Sequence, residues 1–116
     1  MMEIWLPIKN FENYEISSWG RIRNRKGQIL SPYKNHKGYL KIGLMKDGKD
    51  HKKRIHRLVA ETFIANPNNL PEVNHKDGNK ENNSFTNLEW VSGEMNRAHV
   101  LMMQQWKELL EGKYKG

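Results

Sequence analysis

The sequence predicts an α+β fold: a small antiparallel β-module and a short helix, followed by a β-hairpin and a long C-terminal helix. Three observations predict it. Glycine turns divide the first half into brief runs of aromatic and β-branched side chains, the pattern of short strands. The period changes at HRLVAETFI, residues 56 to 64, where Leu58, Val59, Thr62 and Phe63 fall as on one face of a short helix. From Ser92 onward no turn signal interrupts the chain until Gly112, so one helix to about Glu111 is expected.

Taken in order, Tyr14 with Ile16, then Ile22, then Ile29 with Leu30 mark strand segments broken at Trp19-Gly20 and Lys26-Gly27. In GYLKIGLMK, Tyr39, Lys41, Gly43 and Met45 alternate with Leu40, Ile42 and Leu44, which gives a strand with one basic or small face and one apolar face. Lys46-Asp47-Gly48-Lys49 is a hairpin turn of the Asp-Gly type. Asn66-Pro67 stops the first helix, and NPNNLPE is a turn-rich connection. Two short strands, Glu72 to Asn74 and Asn87 to Val91, flank a loop centred on Asp77-Gly78. Ser92 is the expected N-cap of the last helix and Gly112 its stop. That helix carries a broad apolar surface, Met95, Ala98, Leu101, Met102, Trp106, Leu109 and Leu110, which suits packing on the hairpin or a homodimer contact.

The 116 residues suffice for one domain or two small modules sharing a core, not for a large enclosed cofactor cavity. Mean hydropathy is low, at -0.92, yet four Trp, four Tyr and three Phe supply core anchors. The absence of cysteine excludes a disulfide scaffold and a thiolate zinc finger, so any metal must sit on nitrogen and oxygen ligands. No apolar run reaches membrane-spanning length and the first residues lack a basic leader, so a cytoplasmic protein without a membrane partner is expected.

The net charge of +7 favours a polyanion as partner, because each phosphate neutralised releases counterions. Residues 1 to 65 hold 14 Lys+Arg against 6 Asp+Glu, whereas residues 66 to 116 hold 6 against 7, so binding charge is confined to the first part. Arg21, Arg23 and Arg25 alternate, with Lys26 following, as a strand lying along a nucleic-acid groove requires. Lys34, Lys37 and Lys41 continue the basic character, and Lys52, Lys53, Arg54 and Arg57 form its densest run. A solvated strand face is the alternative. His56, beside these cations, reads as a cap or phosphate contact; His36 and His51 read as exposed loop residues.

VNHKDGNKENNSFTNLEW, residues 73 to 90, sets five asparagines around one histidine. Helical spacing puts Asn96 and His99 on one face, and a hairpin packed on that face brings Asn74 and His75 to the same place. An imidazole titrates near pH 6.5 and serves as a base, while amide oxygens bind hard cations or fix a ring tautomer. Neutral amides also repel an incoming phosphate less than carboxylates do. The same residues equally suit Asx-turns in a surface loop.

Together these residues resemble the HNH endonucleases of phages and self-splicing introns, which carry a ββα-metal site. The resemblance rests on NH-x-DGN, NN, NLEW and the helical N-x-x-H; EIWLPI, YEISSWGRIRN, GYLKIGL and IHRLVAETFI resemble the small DNA-binding module that often precedes this nuclease. It implies a basic module over residues 1–65 and the nuclease motif with its C-terminal helix over 66–116. It implies further that His75 is the general base, that Asn87 braces the hairpin loop and helps orient it, and that Asn74 and Asn96 hold Mg²⁺ or Mn²⁺, with His99 joining or replacing a ligand. The substrate would be double-stranded DNA, nicked or cut through both strands. One departure is notable, because many relatives carry Asp at the position of Asn74. That leaves open a DNA-binding protein of the same fold with a weak or silent site; charge alone would also suit an RNA-binding protein.

Overall fold

The structure, a computed structural model, describes residues 2–111. The expected Gly112 stop lies outside the described residues. Strands β1 (Trp5–Ile8), β2 (Phe11–Ser17) and β3 (Ile22–Asn24) form one antiparallel sheet in sequence order, and β4 (Tyr33–Lys34), β5 (Leu40–Lys46) and β6 (Lys49–Arg54) form a second. Alternation along β5 turns out as its sequence predicts, with Ile42 and Leu44 buried and Met45 exposed. The β5–β6 turn uses positive φ at both Asp47 (52°) and Gly48 (73°), the backbone that matches strand twist in a two-residue hairpin.

Helix α1 (Ile55–Phe63) follows β6 without a loop and buries Ile55, Leu58, Val59 and Ala60. It ends three residues before Asn66, whose side chain closes the next turn by bonding both the N–H and the C=O of Leu70 at 2.9 Å. Strands β7 (Glu72–His75) and β8 (Leu88–Val91) form the expected hairpin, with a single 3₁₀ turn at Phe85–Asn87 before β8. Val73 and Leu88 join Ile16, Ile42, Leu44 and the α1 residues in one apolar cluster, so both halves of the chain share a core.

Helix α2 (Gly93–Leu110) starts where its cap predicts, the Ser92 hydroxyl accepting from the Met95 N–H at 3.1 Å, with Glu94 in the favourable first turn. Of the two uses expected of its apolar surface, packing on the hairpin is not what these side chains do. Met95, Leu101, Met102, Trp106, Leu109 and Leu110 are all exposed, and Met103, one position on from Met102, meets the hairpin loop. Among the described residues no helix is long and apolar enough to cross a membrane.

A turn in the first sheet is built against the hairpin loop. Gly20 has φ +89°, and a Cβ there would stand 2.9 Å from the Asn83 Cβ and 3.0 Å from its carbonyl oxygen. The adjacent Ser18 carbonyl accepts from the Phe85 N–H at 2.9 Å. Gly27, at φ +78°, has nothing within 4 Å of such a Cβ. Gly27→Ala therefore meets backbone strain alone, whereas Gly20→Ala adds a backbone collision. The expected result is a loss of about 1–2 kcal/mol for Gly27→Ala and at least about 1 kcal/mol more for Gly20→Ala in urea unfolding. Equal losses would contradict the docking of this turn on Asn83.

Candidate active site

His75 ends β7, opposite Leu88. The loop that follows is held by its own amides. Asn87 accepts from the Asp77 N–H at 3.1 Å and donates to Asp77 Oδ1 and to the Asn82 carbonyl, each at 2.9 Å. Asp77 also accepts from the Asn79 N–H (2.8 Å) and the Asn82 side chain (2.9 Å). Burial opposes ionisation of Asp77, but the Asn82, Asn79 and Asn87 hydrogen bonds outweigh it and hold the carboxyl below its ordinary value. Asn87 thus braces the loop, and its side-chain bonds go to Asp77 and Asn82 and not to the imidazole.

The imidazole is held by Asn83. His75 is only 5% exposed, and its Nε2 lies 2.7 Å from Asn83 Oδ1. An amide oxygen only accepts, so Nε2 carries the proton and Nδ1 presents the lone pair. Burial lowers the His75 pKa, partly countered by the Asn83 bond, so the ring is neutral at pH 7. Its wall is another histidine. His56, 5% exposed, lies 5.0 Å from the His75 ring and stacks on Tyr39 at 5.0 Å. Desolvation, with smaller effects of His75, Arg54 and Arg57, pushes His56 down to about 3. The surface phosphate contact expected of His56 is therefore corrected: it is a buried, neutral ring. His51 is likewise not a loop residue, since it lies in β6 edge-on to Phe11 at 5.3 Å.

Alternation along β7 sends Asn74 to the other face, with Glu72 toward α2. The Asn74 amide nitrogen donates to Glu89 Oε2 (3.4 Å) across the strand pair, and the Asn96 amide nitrogen donates to Glu72 Oε1 (3.5 Å). Both nitrogens are thereby committed, which leaves two amide oxygens as donors beside two carboxylates. Such a set suits a hard divalent cation. His99 Nε2 donates to the Lys76 carbonyl at 3.2 Å, which leaves Nδ1 as the acceptor of its ring. Among the described residues no cluster of three or more His, Cys, Asp or Glu side chains could hold a metal.

The predicted basic residues divide. Register opposes Lys41 to both Tyr33 and Arg54, and Gly43 to Lys52, so these side chains share one sheet face with Tyr39. Lys52 lies 5.5 Å from the Tyr33 ring, and Arg54 and Lys80 lie 6.0 and 4.7 Å from Tyr39. Through Tyr39 and His56 this cationic, aromatic face runs to His75. Lys34 pairs with Glu81 (3.1 Å), and the Lys37 carbonyl accepts from Lys80 (2.7 Å). Lys53 lies over Phe11, and Arg57 bonds the Pro71 carbonyl and lies over Trp90. Arg21 and Arg23 both lie over Trp5, but they are ion-paired with Glu3 and Glu15. Arg25 and Lys26 are exposed beyond the end of β3. Sequence reasoning passed over Tyr39, Lys80 and the hold of Asn83 on His75; the spacing of Tyr39 from Lys41 on one strand face was the available signal.

The NUMOD4 motif model matches residues 3–45 and the HNH endonuclease model matches residues 53–98, the stretch that contains β7, β8 and the start of α2. The chain belongs to the HNH endonuclease family. It is 45% identical over 101 residues to the uncharacterized HNH endonuclease L245 of Acanthamoeba polyphaga mimivirus, covering 87% of this chain and 31% of that protein. It is 42% identical over 94 residues to the DNA endonuclease I-HmuI of Bacillus phage SP01, covering 79% of this chain and 54% of that one. A solved structure described as DNA binding and cleavage by the HNH homing endonuclease I-HmuI superposes with TM-score 0.75 and 34% identity over 97% of this HNH chain and 62% of its counterpart. The chain therefore spans between about a third and a little over half of these two curated relatives' lengths.

Proposed function

We propose that this HNH chain is a divalent-metal-dependent DNA endonuclease, acting through nicks or double-strand breaks, in which residues 1–65 bind duplex DNA and residues 66–116 hydrolyse the phosphodiester. The observation that carries this reading is the buried, neutral His75 with Nε2 tied to Asn83 and Nδ1 left as a base, at the end of a strand whose Asn74 bonds Glu89 and whose Glu72 bonds Asn96 on α2. The Tyr33, Tyr39, Lys41, Lys52 and Arg54 face holds the DNA backbone and sets its register, with Arg25 and Lys26 reaching further phosphates. His75 Nδ1 takes the proton of the attacking water; His56 and Tyr39 keep the ring in one plane and exclude bulk water behind it. Asn87 and Asp77 keep the loop in shape around it. Asn74 and Asn96 offer their side-chain oxygens to Mg²⁺ or Mn²⁺, with His99 close to the same edge. When bound, the ion neutralises charge developing on the phosphate and on the leaving 3′ oxygen.

The test is relaxation of supercoiled plasmid by the full chain. The expected result is relaxation in Mg²⁺ or Mn²⁺, none in EDTA, and binding that weakens steeply with salt. Undiminished relaxation in EDTA would overturn the reading. Asn74 favours one alternative, a DNA-binding protein of the same fold with a silent site, which would bind the plasmid in Mn²⁺ and leave it supercoiled.

A further inference from the structure

We infer that Glu89 supplies the negative charge that the cation site lacks at residue 74. The inference rests on the ion-site reading above and assigns that site an anionic member. Asn74 and Glu89 are direct cross-strand partners, so their side chains stand on the same face of the hairpin, and the Glu89 carboxylate receives the Asn74 amide N–H. Glu89 makes no ion pair among the described residues, and its carboxylate accepts from the Asn74 side chain. Its charge is therefore uncompensated beside a neutral donor. Glu72, the other nearby carboxylate, is placed differently: its Oε1 receives the Asn96 amide N–H and its Oε2 lies beside Gly93 at the amino end of α2, where the helix dipole favours a negative charge. Glu89 also acts on the amide itself. By drawing on the N–H it fixes which end of Asn74 is free and increases the negative character of Oδ1, as a carboxylate bonded to the far nitrogen of a ligating imidazole does for that ring.

The consequence is that the charge is movable. Asn74→Asp with Glu89→Gln exchanges the two side-chain types between the two strands and restores the net charge of the site. Binding of Mn²⁺ alone to the full chain, followed by calorimetry and by the loss of the free-ion electron paramagnetic resonance signal, tests this without any cleavage readout. Glu89→Gln is expected to weaken Mn²⁺ affinity about 10–100-fold. The double variant is expected to return to within about threefold of the unmodified chain, because the carboxylate then ligates directly. Glu89→Gln binding as tightly as the unmodified chain, or a double variant as weak as Glu89→Gln, would overturn the inference. Should Glu89→Gln fail to fold, the affinity of the double variant decides alone, a loss of about tenfold or more against the unmodified chain counting against it. An unmodified chain that takes up no Mn²⁺ would overturn both this inference and the ion-site reading; metal-dependent nicking with Mn²⁺ affinity indifferent to residue 89 would overturn this inference only.

Discussion

His75→Ala is expected to lower the single-turnover rate of plasmid nicking about 10²–10⁴-fold, the range a positioned general base contributes. DNA affinity should stay within about twofold, because the cations proposed to meet phosphate lie on other elements. The geometry makes this dissociation of effects specific. His75 is 5% exposed and lies against His56 and Asn83, whereas Lys41, Lys52 and Arg54 stand on the β4–β5–β6 face. Gel-shift titration and nicking on the same preparation check it, and His75→Gln, which keeps more volume against His56, separates loss of the base from loss of packing. A variant that nicks at the unmodified rate, or one that loses nicking only because it no longer binds DNA, would count against the role of His75.

The second large effect is acid destabilisation. The His56 pKa in the folded chain is pushed down to about 3, below the ordinary 6.5, and that of His75 is shifted in the same direction. An unfolded chain takes up these protons first. Stability is therefore full above about pH 6.5 and falls as pH drops from there toward the folded values, by up to about 1.4 kcal/mol per pH unit for each group. By pH 5, His56 alone costs about 2 kcal/mol. The window between pH 6.5 and 5 belongs to the histidines, since the carboxyls with lowered values, Glu3 and Asp77, begin to matter only below it. His56→Phe keeps a ring between Tyr39 and His75 without the titrating group. Urea unfolding at pH 7 and pH 5 should show the variant losing distinctly less than the unmodified chain; equal losses would mean that His56 is not buried neutral.

Much of the fold was legible because local chemistry determined it. Asp47-Gly48 supplies the two positive φ values of its hairpin turn, Ser92 caps α2, and the alternation in β5 reports its buried face. The sequence singles out His75, Asn74, Asn87 and Asn96 as candidates, but their bonding was not legible in it. Five asparagines between residues 73 and 90 are chemically alike, and what selects Asn83 to hold the imidazole is the Trp19-Gly20 turn, about sixty residues away, pressing on its backbone. His56 misled because the chain changes element beside it: β6 ends at Arg54 and α1 begins at Ile55, so the ring turns inward, and Arg54 and Arg57 act on it only as smaller electrostatic effects. On α2 the helical spacing of Asn96 and His99 marked the face that meets the hairpin, and Met103 completes it; the hairpin presents polar groups there, and side chains able to bond them hold the face.

The central claim is that His75 acts as the base of DNA hydrolysis, and chemical rescue tests it most directly. His75→Gly leaves a ring-sized space beside His56, and nicking by this variant in Mn²⁺ is measured with increasing imidazole. The account predicts cleavage that is nearly absent without imidazole and rises with its concentration, while the unmodified chain is unaffected. Full-rate nicking by His75→Gly in the absence of imidazole would contradict it.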